Sequence, residues 1–198
     1  MKIINESVQA ELTEKKSKFI CNLFYVVSEE EAKAKIAEIK KQYHDARHNC
    51  YAYRIAQENR IIENSSDDGE PSGTAGSPML SILQGNDLVN VVSIVTRYFG
   101  GILLGTGGLV RAYSGSLEKA IQEAYIVQCE LGVLAQIEIE YAEQSQFEYD
   151  CKQCNARIVK GDYLEKVTLY IECTNDSYNV LKDKYNSLSL TENRIIII

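Results

Sequence analysis

Ten of the twelve glycines in this 198-residue chain fall between Gly69 and Gly115, and both prolines lie in the same stretch. Most of these glycines sit in two loops. The first runs Ser66-Asp67-Asp68-Gly69-Glu70-Pro71-Ser72-Gly73-Thr74-Ala75-Gly76-Ser77-Pro78. The second follows an apolar strand ending at Arg97-Tyr98-Phe99 and reaches a helix through Gly100-Gly101-Ile102-Leu103-Leu104-Gly105-Thr106-Gly107-Gly108. Glycines between a strand and a helix let the backbone take positive φ and approach a ligand closely, while the leading N–H groups of the helix face outward. Such a place attracts anions, and it locates the candidate site.

No N-terminal segment has the pattern of a signal peptide, and no apolar run reaches the roughly 18 residues a membrane helix needs, so a cytoplasmic protein without a membrane segment is expected. Six irregularly spaced cysteines in such a chain predict buried thiols rather than a disulfide framework. The net charge of −7 argues against a strongly basic nucleic-acid binder. Its distribution is uneven, with 14 basic and 16 acidic residues up to Val127 and 7 and 12 beyond. Lys15-Lys16-Ser17-Lys18 could dock on RNA, or guard a solvated strand edge.

Residues 19–27 read as a strand, followed by Ser28 as an N-cap with Glu31 three positions on. Ala32, Ile36, Ile39 and Tyr43 then recur at helical spacing to about His44. Residues 50–56 and 60–64 read as strands joined by a turn at Glu58-Asn59. Ser77-Pro78 suits the cap and first turn of a short helix through about Gln84. The long, nearly uncharged run 88–99 predicts a strand buried on both faces, and 107–125 a helix. Beyond it, alternation from Val133 to Tyr141 predicts a strand, and Phe147, Cys151 and Cys154 a helix face. A hairpin is expected about Lys160-Gly161-Asp162, then a helix capped at Asn175-Asp176 and a closing strand at 194–198. The order β-α-β-β-α-β is the ferredoxin-like split motif. The expected fold class is therefore α+β in two domains, residues 1–128 and 129–198.

Asp67-Asp68-Gly69-Glu70 places three carboxylates within four residues. They can help hold a divalent cation, form a solvated tip, or recognise a partner's arginines and amides. The spacing matches no EF-hand, and Pro71 biases Glu70 toward extended backbone, so they are expected to fan outward and serve a partner. No metal and no cofactor is expected. Arg97, Tyr98 and Phe99 either present a cation and two rings to a phosphate, base or peptide, or pack inward with Arg97 paired to a loop carboxylate such as Asp67 or Asp68. Arg111 adds a second cation. The run Gly105-Thr106-Gly107-Gly108 is neither a Walker loop nor a dinucleotide fingerprint. His44 and His48 would form a metal pair only on a continuous helix, and a structural His48 at a strand entry is preferred. Cys151 and Cys154 share a helix face with Phe147, which predicts packing. No nucleophile elbow surrounds Ser72, Thr74 or Ser116, so no catalytic residue is assigned.

The first loop, the run from Ile94 through Val110, and Asp45-Ala46-Arg47-His48-Asn49-Cys50-Tyr51-Ala52 together resemble the signature blocks of the YigZ/IMPACT family. The resemblance implies a first domain folded like domain IV of elongation factor G and a small-subunit ribosomal protein, and in bacterial members a ferredoxin-like second domain resembling another elongation-factor domain. Eukaryotic members are translational regulators that bind the activator of a stress kinase acting on an initiation factor. The position after Leu109-Val110 is often lysine in the family and is Arg111 here, which keeps the charge and changes the contact geometry.

The implied function is translation-associated binding, with the ribosome, RNA or a translation-associated protein as partner and a regulatory role. The expected contact residues are His48, Asp67, Asp68, Gly69, Glu70, Pro71, Arg97, Tyr98, Phe99, Gly100, Gly101, Gly105, Thr106, Gly107, Gly108 and Arg111. The alternative is an enzyme binding a nucleotide or phosphorylated small molecule at the glycine loops, since kinases of the galactokinase type share the implied first-domain fold. Those kinases carry a larger second domain than residues 129–198 provide. A peptidase reading lacks a dyad, triad or metal set.

Overall fold

The computed structural model describes residues 1–57 and 60–197, so the expected turn at Glu58-Asn59 and the end of the closing strand at Ile198 lie outside the described residues. The chain divides into two compact units, Met1–Gln128 and Cys129–Ile198. Each is a mixed α+β layer structure.

In the first unit, β1 (Lys2–Ile4) precedes a hairpin of β2 (Val8–Glu14) and β3 (Ser17–Tyr25). Helix α1 (Glu29–Gln42), strands β4 (His48–Gln57) and β5 (Arg60–Ser66), helix α2 (Gly76–Gly85), strand β6 (Val91–Tyr98) and helix α3 (Gly105–Glu123) follow. Five strands form an antiparallel sheet in the order β2-β3-β6-β4-β5. β6 lies at its centre, pairing with β3 (Phe19↔Arg97) and β4 (His48↔Arg97). Successive side chains point to opposite faces, so Val91 and Val95 meet the core under α2 and α3, while Val92 and Ile94 meet Ile36 and Ile39 of α1. That double burial is why the strand reads as a nearly uncharged run.

β1 and β2 were not anticipated from sequence. β2 carries the period-two signal, Val8, Ala10 and Leu12 against Gln9, Glu11 and Thr13, but its turn is unusual. Lys15 and Lys16 both adopt positive φ, 44° and 67°, where hairpins generally use Asn or Gly. The N-cap of α1 is Ser28, whose hydroxyl accepts from the Glu31 N–H at 3.1 Å. The cap of α2 differs from expectation. The helix starts at Gly76 rather than after Ser77, for a reason found at the site.

The second unit contains β7 (Ile126–Ile139) from Cys129 onward, α4 (Gln144–Gln153), β8 (Arg157–Tyr163), β9 (Val167–Thr174), α5 (Asn175–Lys184) and β10 (Ser189–Ile197). The strand order β10-β7-β9-β8, all antiparallel, is that of the ferredoxin-like split motif. Phe147, Cys151 and Leu181 from the helices pack on Val133, Ala135, Ile137, Leu169 and Ile171.

Several boundaries shift. The expected turn at Lys160-Gly161-Asp162 lies inside β8, beside a register shift between Ile158 and Lys160, and the connection falls at residues 164–166. A glycine within a strand marks such an irregularity as often as it marks a turn. β7 ends at Ile139, and Tyr141 opens a short 3₁₀ turn with its ring exposed. The cap of α5 is Thr174, one residue before the expected Asn175, and accepts from the Ser177 N–H at 3.1 Å. Among the described residues, no helix is long and apolar enough to cross a membrane.

Candidate functional site

The acidic loop is turned inward. Asp67 aims its carboxylate at the start of α2, accepting from the backbone N–H groups of Gly73 at 2.8 Å and of Ala75 and Gly76 at 2.9 Å. It caps the helix from nine residues away, which is why α2 starts earlier than Ser77-Pro78 suggested. Desolvation acts to raise its pKa, but the backbone donors from Gly73, Gly76, Ala75 and Thr74 outweigh it and hold the carboxyl below its ordinary value. Gly76 stands where a Cβ would lie 2.7 Å from the Ser66 backbone nitrogen, so only glycine permits this approach.

Asp68 is held from two sides. Its Oδ2 accepts from the Asn49 N–H at 2.7 Å and its Oδ1 from Lys40 Nζ at 2.6 Å. The backbone here takes positive φ at Asp68 (42°) and Gly69 (87°), bringing the Asp67 carbonyl to Cys50 Sγ at 2.9 Å and the Asp68 carbonyl to His48 Nδ1 at 2.9 Å. A carbonyl oxygen can only accept, so Nδ1 donates and carries the proton. Nε2 is thereby turned toward Glu70, 4.0 Å from Oε1.

Glu70 is the buried member of the three. Its Oε1 accepts from Arg97 at 2.6 Å and from the Tyr113 hydroxyl at 2.9 Å. The Glu70 and Arg97 side chains are 3% and 8% exposed, so the charges are compensated within the protein rather than by water. The Arg97 guanidinium carbon lies 5.6 Å from the ring centroids of both Phe19 and Phe99. Burial, with Glu70, Asp68 and Asp67 nearby, pushes the Cys50 thiol up to about 12, and burial likewise raises the Tyr113 hydroxyl. Tyr98 donates to Asp45 at 2.7 Å, a bond that raises the phenol to about 12 and lowers the carboxyl.

These contacts separate the sixteen expected contact residues into an inner and an outer group. The inner group is His48, Asp67, Asp68, Glu70 and Arg97, and Tyr98 is held apart from it by its exposed bond to Asp45. The expectation that the three carboxylates fan outward fails, because each has a buried or half-buried donor that chain topology brings to it. The expectation that Arg97 pairs with a loop carboxylate holds in form, although the partner is Glu70 rather than Asp67 or Asp68. Gly69 and Pro71 are exposed covers of this loop. His48 opens β4, and α1 ends at Gln42 before either histidine.

The outer group faces solvent. Phe99, Gly101, Gly105, Thr106, Gly107 and Arg111 are exposed, with Gly100 half-buried and Gly108 buried beneath them. Phe99 is 56% exposed, and beside it Ile102 and Leu103, which were not singled out from sequence, are 42% and 82% exposed. Gly100 packs on the hairpin tip so closely that a Cβ would fall 2.0 Å from the Lys16 carbonyl. The exposed tip lysines, Lys15 and Lys16, are thus fixed beside the second glycine loop. Tyr113 also escaped notice, because its hydroxyl partner lies 43 residues away and nothing local marks it as more than a core ring.

Comparison with known proteins follows the same two-part division. The Impact N-terminal domain family matches residues 15–121, and a domain of unknown function (DUF1949) matches residues 137–189. The IMPACT family member YvyE of Bacillus subtilis is 40% identical over 171 residues, which cover 85% of this chain and 78% of YvyE. YigZ of Escherichia coli, also an IMPACT family member, is 38% identical over 168 residues, 79% of this chain and 78% of its own. A crystal structure of a hypothetical protein is 32% identical at a TM-score of 0.65, covering 100% of this chain and 96% of that one.

Proposed function

This chain belongs to the IMPACT family, and we propose that it is a cytoplasmic, translation-associated binding protein that regulates by contacting the ribosome, RNA or a translation factor. The observation that carries this reading is the outward face formed by residues 99–107 and the β2–β3 tip. Phe99, Ile102 and Leu103 are exposed apolar side chains of one loop, and Lys15, Lys16 and Arg111 make no hydrogen bond or ion pair through their side chains among the described residues. Exposed rings with cations suit unstacked bases and backbone phosphates. The family resemblance supports translation as the setting.

The contact set therefore moves outward from the acidic loop. Arg97, held by Glu70, supports the face beside Phe99, while Phe99, Leu103, Lys15, Lys16 and Arg111 touch the partner. Sedimentation of lysate through a sucrose gradient tests the reading. Co-migration with ribosomes at low salt, lost at high salt and reduced by Phe99→Ala with Leu103→Ala, is the expected result. A protein that stays at the top of the low-salt gradient overturns it.

A further inference from the structure

Between the β2–β3 tip and the first two turns of α3 lies a cavity of about 160 Å³. Leu12, Leu104 and Ala112 form its apolar wall, and Lys15, Arg111 and Glu14 bring charge to it. Lys15 and Arg111 make no hydrogen bond or ion pair among the described residues. Of the two further lysines of this hairpin, Lys18 is paired with Glu11 at 2.7 Å, and Lys16 does not line the cavity. The cavity thus holds two unneutralised cations against one carboxylate, in a chain whose net charge is −7.

The position of Arg111 sharpens the point. Its NH1 lies 3.6 Å from where a Cβ on Gly107 would stand, so the guanidinium folds back over the first turn of α3. That turn has no acidic residue and no side-chain cap. A cation at the positive end of a helix is a local conflict, and an anion between the two resolves it. The walls are also pre-set, since Gly100 against Lys16 fixes the hairpin tip that carries Lys15.

We propose that this cavity binds one phosphate group, with Lys15 and Arg111 as its charged contacts and the carbon skeleton attached to the phosphate lying on Leu12, Leu104 and Ala112. The phosphate is either a phosphodiester of RNA or the monoester of a small phosphorylated molecule. The proposal rests on the outward face described above as a contact surface, and it assigns the phosphate to one place on it. Glu14 favours a ligand with a donor group beside the phosphate, such as a ribose hydroxyl, over inorganic phosphate.

Calorimetric titration of the full chain with inorganic phosphate, uridine 5′-monophosphate and a short single-stranded RNA without terminal phosphates tests this. At least one of the two nucleotide probes is expected to bind more tightly than inorganic phosphate. Arg111→Gln with Lys15→Asn, the latter tolerant of positive φ, is expected to weaken it roughly tenfold or more while leaving the melting temperature in place. Lys33→Gln, an exposed change on α1, is expected to leave binding unchanged. Tighter binding of the monophosphate assigns a small molecule, and tighter binding of the RNA assigns a phosphodiester. Absence of binding by all three probes, or equal binding by the double variant and the parent, overturns the pocket. Ribosome co-migration that persists in the double variant then leaves the translational reading standing without it. A pocket that binds the monophosphate in a protein absent from ribosomes stands without that reading.

Discussion

Glu70 and Arg97 are 27 residues apart in sequence and 2.6 Å apart in space, and their bond fastens the acidic loop to the end of the central strand. Both side chains are out of water, so neither charge is tolerable without the other. Glu70→Ala is expected to destabilise the protein by about 3–5 kcal/mol, because it leaves a buried guanidinium uncompensated. Replacing both, with Leu at 70 and Met at 97, is expected to lose less than the sum of the single changes. A double-mutant cycle by denaturant unfolding measures the coupling, and additive losses would show that the pair acts independently.

Arg111→Glu is expected to leave stability within about 0.5 kcal/mol, as at other unpaired surface positions, where Arg97→Glu is expected to unfold the first unit. Melting curves of the two variants separate an outward arginine from an inward one. Similar curves for both would place them in equivalent surroundings.

Asp67 supports α2 through three backbone donors. Asp67→Ala is expected to cost about 2 kcal/mol, the upper range for a helix cap that is also charge-assisted. Its folded pKa lies below the unfolded value, so this support is complete above the unfolded pKa of about 3.9 and is lost as pH falls through the folded value. Acid unfolding of the Asp67→Asn variant is accordingly expected to show a shallower pH dependence below about pH 4 than the parent. Identical acid profiles would contradict this assignment.

Gly100 and its neighbour Gly101 make opposite demands. A methyl at Gly100 meets the Lys16 carbonyl at 2.0 Å, whereas at Gly101 nothing lies within 4 Å and the only cost is a φ of 85°. Gly100→Ala is therefore expected to cost about 3 kcal/mol, at the severe end of overpacking, against about 1 kcal/mol for Gly101→Ala. Thermal unfolding of the two variants gives the order directly.

Thiol chemistry should rank the cysteines. Burial holds Cys50 and Cys151 up to about 12 and Cys173 to about 11, so little thiolate is present near neutrality. Cys154 is the half-buried one, and alkylation of the native protein followed by mass spectrometry is expected to modify it first. Earlier labelling of Cys151 would show that α4 opens.

How much of this could be read in the chain depends on how far each partner lies along it. Ser28 and Glu31 interact across one helical turn, so the cap of α1 was legible from four letters. The two-sided burial of Val91 to Tyr98 was legible because it keeps charge out of the strand until Arg97. The ferredoxin-like order followed from the succession of short periodic segments. Asp67 was not legible as a cap, since its acceptor role depends on a loop folding back over nine residues. Glu70 looked like a solvated carboxylate for the same reason, its partners being 27 and 43 residues distant. Lys15 and Lys16 hid a hairpin because neither is a residue that turns of that kind ordinarily select.

The inward latching of the acidic loop bears on where this protein can be cut and rejoined. A long, polar, glycine-rich loop is ordinarily the first place chosen for an inserted tag or a new pair of termini. Here each of three successive carboxylates anchors a different element: Asp67 the start of α2, Asp68 the backbone of β4, and Glu70 the end of β6. A fusion placed after Gly73 would pull all three anchors at once. An insertion at the exposed Ile102-Leu103 would spare these three anchors and interrupt the outward face instead.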